Sequence, residues 1–452
     1  MIDTQAIRKK ILDLALRGKL TEQLPEDGTA EELFQQIQQK KLSKPIKEKA
    51  KSEKPFEIPK NWKWVHLNEI ADTSLGKTLD KSKNTGDLCP YLCSINVHWD
   101  GIKLDTVKEA RFTEEEKTKY ELAPGDLLIC EGGDVGRTAI WNQNIVMYYQ
   151  NALHRVRFYC NINPWFYRDL FEYYKAVGLL DWFSTGMTIK HLVQSSLYSL
   201  WLPLPPLSEQ KRIVDKVDSM IAILDTIDTL QSQYQENLAT LKSKIIDAGI
   251  QGKLTEQLPE DGTTEELYQQ IQQEKLALEK AGKIKKSKPL PPISDEEKPF
   301  DIPANWKWIR MGSICSIVTG KLDANAQNAK GEYPFFTCGA EVYKTTTYAF
   351  DCDAVLLGGN NASGDYKIHQ YSGKFNAYQR VYVITDPPKE TLNYLYNVIH
   401  WWLPSLKHNS QGTTTRFIRL NQVTDMLIPL PPLAEQKRIV AKLEELLPLC
   451  EV

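Results

Sequence analysis

The sequence predicts an α+β protein in which two mixed α/β domains alternate with two long helical, coiled-coil regions in a pseudo-twofold and cyclic arrangement. Three observations predict it. The chain repeats itself at an offset of about 226 to 244 residues, far above solenoid periods. Apolar residues after Ile213 recur at alternating steps of four and three. The stretches between the repeats hold short β-rich runs broken by glycine, with one aromatic-rich helical run late in each copy.

The repeat is carried by three blocks. Gly18 to Thr29 recurs letter for letter as Gly252 to Thr263. Lys54-Pro55-Phe56, Ile58-Pro59 and Asn61-Trp62-Lys63-Trp64 return as Lys298-Pro299-Phe300, Ile302-Pro303 and Asn305-Trp306-Lys307-Trp308. Pro203 to Leu207 and Glu209 to Val214 return as Pro429 to Leu433 and Glu435 to Val440. Between the blocks the copies diverge, yet fragments line up: Gly132-Gly133 with Gly358-Gly359, Asn151-Ala152 with Asn376-Ala377, Arg155 with Arg380. Ser184, Gly186, Thr188 and Lys190 likewise fall on Ser410, Gly412, Thr414 and Arg416. One fold thus carries two different surfaces. The chain begins inside one copy of the spacer and ends inside the other, so the two ends are expected to rebuild a second spacer helix.

These blocks divide the chain into seven segments. Residues 1–24 and 433–452 are the two parts of a distal helical spacer, and 207–254 is the central spacer. Residues 25–59 and 255–303 are each a short helix followed by a lysine-rich linker, the second also proline-rich. Residues 60–206 and 304–432 are the two mixed domains. In the central spacer the apolar seam runs Ile213, Val217, Met220, Leu224, then Leu238 and Leu241. It predicts one helix of about 35 residues, with Ser208 as N-cap and Gly252 as stop. In the second copy the seam is Ile439, Leu443 and Leu446. Two such helices are expected to bury their seams antiparallel, with Gln231 as a register device or a surface glutamine. Thr29-x-x-Glu32 and Thr263-x-x-Glu266 read as capping boxes.

Composition narrows the function. The formal net charge is -2, so any affinity for nucleic acid must come from local charge or from a partner. Eight cysteines occur without a CxxC pair, which argues for reduced thiols and against zinc. No apolar run is long enough to span a bilayer and no leader precedes the first helix, so a cytoplasmic location is expected. No Walker-type loop or Asn-Pro-Pro-Tyr-like motif is present, and Gly132 to Gly136 reads as a turn rather than a dinucleotide loop.

The polar, glycine-punctuated loops are the expected place of contact with DNA, because glycine admits a close backbone and Lys, Arg, Thr and Asn supply donors. The candidates are Lys77, Thr78, Lys81, Lys83, Arg137, Thr188 and Lys190 in the first copy. In the second they are Lys321, Asn360, Asn361, Thr414 and Arg416. Arg155 and Arg380, matched in the sequence, are expected to hold phosphate, whereas His154 and Gln379, which differ, are candidates for base readout.

With these blocks in place the chain resembles the specificity subunit of type I restriction-modification enzymes, a non-catalytic family in which two target recognition domains alternate with two conserved helical regions. The resemblance is carried by Pro-Leu-Pro-Pro-Leu-x-Glu-Gln-Lys-Arg-Ile-Val at 203–214 and 429–440, by the two Gly-Lys-Leu blocks, and by Ile-Pro before the paired tryptophans. It implies a bipartite double-stranded DNA target and a seam that docks two DNA adenine methyltransferase subunits, with restriction and translocase subunits joining them. It places S-adenosylmethionine, ATP and Mg in those partners and no cofactor here. A bivalent coiled-coil scaffold without DNA specificity is the alternative; sequence preference in DNA binding separates the two.

Overall fold

The computed structural model describes residues 1–40, 53–80, 84–184, 190–284, 286 and 289–451. The chain forms two compact units, Met1–Ser232 and Gln233–Val452. The division falls within the central helix, Leu207–Ile250, which at 44 residues is longer than the apolar seam alone predicts. Ser208 lies inside that helix rather than capping it, because Pro205-Pro206 already ends the preceding strand and the helix starts at Leu207. The stop is as expected: Gly252 has φ +70°, as Gly18 has φ +63° after the N-terminal helix Thr4–Leu16.

In the first unit a four-stranded antiparallel sheet has the order Ala71–Leu75, Leu153–Phe158, Asp126–Cys130, Thr138–Trp141. Asp126–Cys130 is buried along its whole length: Leu127 to Cys130 are apolar, and the Asp126 carboxylate pairs with Arg157 at 2.6 Å. A smaller sheet, Lys108–Phe112, Asp87–Leu92 and Tyr148–Tyr149, packs beside it. The late helical run divides into Pro164–Ala176 and Leu179–Phe183 at Gly178, which has φ +75°. Gly132 to Gly136 is the turn between two strands, with no helix behind it.

In the second unit the equivalent sheet has six strands, in the order Ser316–Thr319, Val381–Thr385, Phe350–Gly358, Ile368–Ala377, Tyr333–Phe336, Val342–Thr345. Its late helix, Lys389–His408, is unbroken.

The letter-for-letter repeats build one device twice. Lys63–His66 pairs antiparallel with Trp201–Leu204, and Lys307–Arg310 with Leu427–Leu430, so the incoming and outgoing strands of each mixed domain close its base. The Trp62 indole donates to buried Glu209 at 2.8 Å, and Trp306 does the same to Glu435 at 2.8 Å. Gln23 and Gln257 donate to the same two carboxylates at 2.5 and 2.8 Å. Arg212 grips Asp27 with both amino groups, and Arg438 grips Asp261. A Cβ on Gly18 would lie 2.3 Å from Pro59 Cγ, and one on Gly252 2.5 Å from Pro303 Cγ, so the Ile-Pro motif seats against a bare backbone.

The spacers pack within each unit. Thr4 and Arg8 of the N-terminal helix bond to Asp228 and Asp225, a descending register that makes the helices antiparallel. Gln231 accepts from the Ile2 amide at 2.6 Å and donates back to the Ile2 carbonyl at 3.2 Å, so it is a satisfied glutamine that ties the two helices. In the second unit the C-terminal helix Leu433–Leu446 places Ile439 and Leu443 against Gly249, while Lys242 meets Glu451 at 3.0 Å. The first capping box forms, with Glu32 N–H donating to Thr29 Oγ1 at 3.4 Å; Thr263 makes no such bond, and the Thr264 hydroxyl donates instead to the Leu430 carbonyl at 2.8 Å.

Candidate nucleic-acid interface

Five chain segments meet at one end of each main sheet, tied by one backbone network that occurs twice. Gly76 N–H donates to the Leu153 carbonyl at 3.1 Å, and Gly320 to Val381 at 3.1 Å. Glu131 donates to Ala152 at 2.9 Å, and Gly359 to Arg380 at 2.7 Å. Leu192 donates to Glu131 at 2.8 Å, and Ile418 to Gly359 at 2.9 Å. Gln150 donates to Leu92 at 3.0 Å, and Tyr378 to Phe336 at 2.9 Å. The matched bonds pair Leu153 with Val381 and Ala152 with Arg380. This corrects the sequence alignment: Arg155 corresponds to Val383 and not to Arg380, and His154 corresponds to Tyr382 and not to Gln379. Short local identities had been matched across loops of unequal length.

The structure places three of the first unit's candidates inside the fold and a fourth, Arg137, half-buried. Lys77 is only 4% exposed; its ammonium donates to the Arg111 carbonyl at 2.9 Å, pairs with Glu116, and sits 4.9 Å from the centre of the Phe112 ring. Arg155 is 6% exposed and ion-paired with Asp72 on the neighbouring strand. Each is a cation whose charge is already matched inside the fold. His154 is fully buried, with Nε2 2.8 Å from the Leu192 carbonyl, and burial lowers its pKa. It reads no base. Arg137 is half-buried and donates to the Ser94 carbonyl at 2.8 Å, which makes it a tie between two loops.

Other candidates remain on the surface. Thr78 is exposed, and exposed Lys190 lies 3.3 Å from Asp181. In the second unit Lys321, Gln379, Arg380 and Thr414 are exposed, and Gln379 donates to Asp323 at 2.7 Å. Asn360 and Asn361 are half-buried in a two-residue ribbon with Phe417 and Arg416. The Asn361 side-chain oxygen accepts from the Ser363 amide at 2.8 Å. Arg416 donates to the Lys407 carbonyl at 3.4 Å. Lys81, Lys83 and Thr188 lie outside the described residues, as does most of the first lysine-rich linker.

The frame also exposes residues that the sequence did not single out. Cys130 N–H donates to the Arg137 carbonyl and Gly358 N–H to that of Lys367, each at 2.8 Å, so exposed Lys367 is the counterpart of Arg137. Asn151 and Ala152 stand where Gln379 and Arg380 stand, and Glu131 where Gly359 stands. Among the described residues, Lys321, Lys367, Arg380, Arg416 and Arg419 lie on the joined segments of the second unit.

The helix seam, too, differs from its expected role. Ile213, Val217, Leu224, Ile439 and Leu443 are buried in the cores of their own units, while Met220, Leu238 and Leu446 are half-buried. Only Leu241, 48% exposed, faces outward. Exposed apolar side chains on the central helix include Ile223 and Leu230 in the first unit and Tyr234 and Leu241 in the second. No helix among the described residues is long and apolar enough to cross a membrane.

One loop-bearing fold, given twice with a common backbone frame and different side chains, defines a duplicated recognition protein. Residues 59–235 and 303–450 match the family model of the type I restriction modification DNA specificity domain. The chain belongs to that family. It is 30% identical over 374 residues to the type I restriction enzyme EcoAI specificity subunit of Escherichia coli, an alignment covering 70% of this chain and 63% of that one. To the EcoDI specificity subunit of Escherichia coli it is 42% identical over 146 residues, 32% of each chain. The alignments with the EcoAI and EcoEI subunits thus span about three-fifths of those relatives' lengths, 63% and 61%. Among solved structures, the HsdS subunit from Thermoanaerobacter tengcongensis shares the fold with a TM-score of 0.54 at 18% identity, covering 88% of this chain and 91% of that one. A chain described under "Structural basis underlying complex assembly and conformational transition of the type I R-M system" has a TM-score of 0.62 at 19% identity, covering 88% and 92%.

Proposed function

We propose that this chain is the DNA specificity subunit of a type I restriction-modification system, acting in the cytoplasm, and that each unit reads one half of a bipartite target. The observation that carries the reading is the twice-built loop frame: identical backbone bonds present Asn151, Ala152 and Glu131 in one unit and Gln379, Arg380 and bare Gly359 in the other. A shared frame sets how a loop approaches the groove, and the side chains that differ set which bases are accepted. Family membership favours this reading over a scaffold without DNA specificity. The chain contributes recognition and no catalytic group. Two DNA adenine methyltransferase subunits supply S-adenosylmethionine and methyl transfer, and restriction and translocase subunits, where they join, supply ATP and Mg chemistry. Ile223 and Leu230 in the first unit and, separately, Tyr234 and Leu241 in the second are exposed apolar side chains available for docking these partners.

The test is a domain exchange. Replacing residues 304–428 with the matching segment of a relative that has a different target, followed by genome-wide mapping of methylated adenines, is expected to change one half-site and leave the other intact. A change in both halves, or in neither, rules out independent readout.

A further inference from the structure

The loop that closes each interface is held by a different side chain in the two units. His154 and Tyr382 occupy the same place in the sheet, each directly after the residue whose carbonyl accepts from Gly76 or Gly320. The His154 Nε2 lies 2.8 Å from the Leu192 carbonyl, and the Tyr382 hydroxyl donates to the Ile418 carbonyl at 2.7 Å. A carbonyl only accepts, so Nε2 of His154 carries the proton. Leu192 and Ile418 are also the equivalent residues whose amides bond to Glu131 and Gly359, and both are buried. An unpaired carbonyl there would be costly. An imidazole and a phenol share no shape; what they share is one donor delivered to one point.

We propose that His154 and Tyr382 are equivalent positioning residues for DNA readout, each fixing one end of a loop of the proposed DNA surface at Leu192 or Ile418. The inference rests on the reading of these loops as a DNA surface. The anchor also bears on its neighbour. A Cβ at position 359 would lie 2.5 Å from the Arg380 carbonyl oxygen and 2.9 Å from Cε2 of Tyr382, so the second unit presents bare backbone there. Beside the smaller imidazole the first unit carries the half-buried carboxylate of Glu131, a group able to accept from a cytosine amino group. Anchor and adjacent interface residue change together.

The experiment uses the full chain assembled with its methyltransferase subunits and a library of random-sequence duplex DNA, from which the bound fraction is sequenced. Tyr382→Phe removes only the hydroxyl. It is expected to lower discrimination at the second half-site about tenfold, the effect of one lost hydrogen bond, while the first half stays sharp. Tyr382→His, which restores a donor, is expected to recover most of that discrimination. His154→Phe is expected to blur the first half alone. Hydrogen exchange supplies a second readout: amides 416–418 exchange faster in Tyr382→Phe, and amides 153–158 do not. A sharp second half in Tyr382→Phe, equal blurring of both halves, or no recovery with histidine overturns the assignment. If the unaltered assembly enriches no motif, the DNA reading itself fails, and the exchange data alone then decide whether Tyr382 holds the loop.

Discussion

The Trp62 indole donates to Glu209 over 2.8 Å, and Trp306 repeats the bond to Glu435 over 2.8 Å, each tying the base of a mixed domain to the first turn of a spacer helix. Glu209→Ala would leave the indole and Gln23 without their shared acceptor inside the fold. A loss of about 1–3 kcal/mol is expected, confined to the first unit, with Glu435→Ala acting on the second. Calorimetry of the two variants checks this. Two unfolding curves superimposable on the wild type would remove the latch from the account of stability.

Arg155 and Arg380 part company in a binding assay. Arg155 is buried against Asp72, so Arg155→Ala is expected to lower the melting temperature while the slope of log affinity against log salt stays unchanged. Arg380 is exposed on the proposed interface, and Arg380→Ala is expected to weaken DNA binding and shallow that slope by about one. Titrations at several salt concentrations distinguish them; a shallower slope for Arg155→Ala would restore it as a phosphate contact.

The converse substitution tests the structural alignment. Ala152 stands where the second unit has Arg380, on a half-buried loop of the same frame. Ala152→Arg is expected to steepen the salt dependence by about one charge and to raise affinity for all sequences. If Arg155 were instead the true counterpart of Arg380, arginine at 152 would leave the slope where it was.

A buried carboxyl gives the first unit a pH dependence. Asp169 lies on the helix Pro164–Ala176, accepts from Arg168 at 2.8 Å, and has Glu172 and Asp218 nearby; burial pushes its pKa up from 3.8 to about 7, with Arg168 pulling the other way. The unfolded chain ionises this group from about pH 4 while the folded chain keeps the proton. Stability from it is therefore present below pH 4 and lost as the pH rises toward 7. Asp169→Asn is expected to remove that loss, so that the variant gains on the wild type between pH 4 and 7. Urea midpoints across this range measure it, and a constant difference between the two proteins would show that Asp169 is ionised throughout.

Much of the fold was legible because its signals are local or repeated. The heptad seam from Ile213, the stop at Gly252, and strands such as Asp126–Cys130 and Val381–Thr385 follow from periodicity and backbone preference. The duplicated blocks announced their importance, although only the structure pairs Trp62 with Glu209 across the fold. The interface was less legible. A lysine after a glycine reads as a DNA contact, yet Lys77 is folded under Phe112, because its partner Glu116 comes from a helix that no local pattern links to it. Register defeated the comparison of Arg155 with Arg380: pairing across a sheet depends on where strands align, and loop lengths that differ between the copies hide it.

The ribbons joining Lys63 to Leu204 and Lys307 to Leu430 hold the two cut ends of each mixed domain side by side. Everything distal to such a ribbon can be remodelled without rerouting the chain that carries it, as a drill takes a new bit through an unchanged chuck. The six-stranded sheet and the four-stranded sheet are two bits already fitted to the same chuck. A third, of any strand count whose ends meet at this separation, would be seated by the same tryptophan, glutamate and arginine.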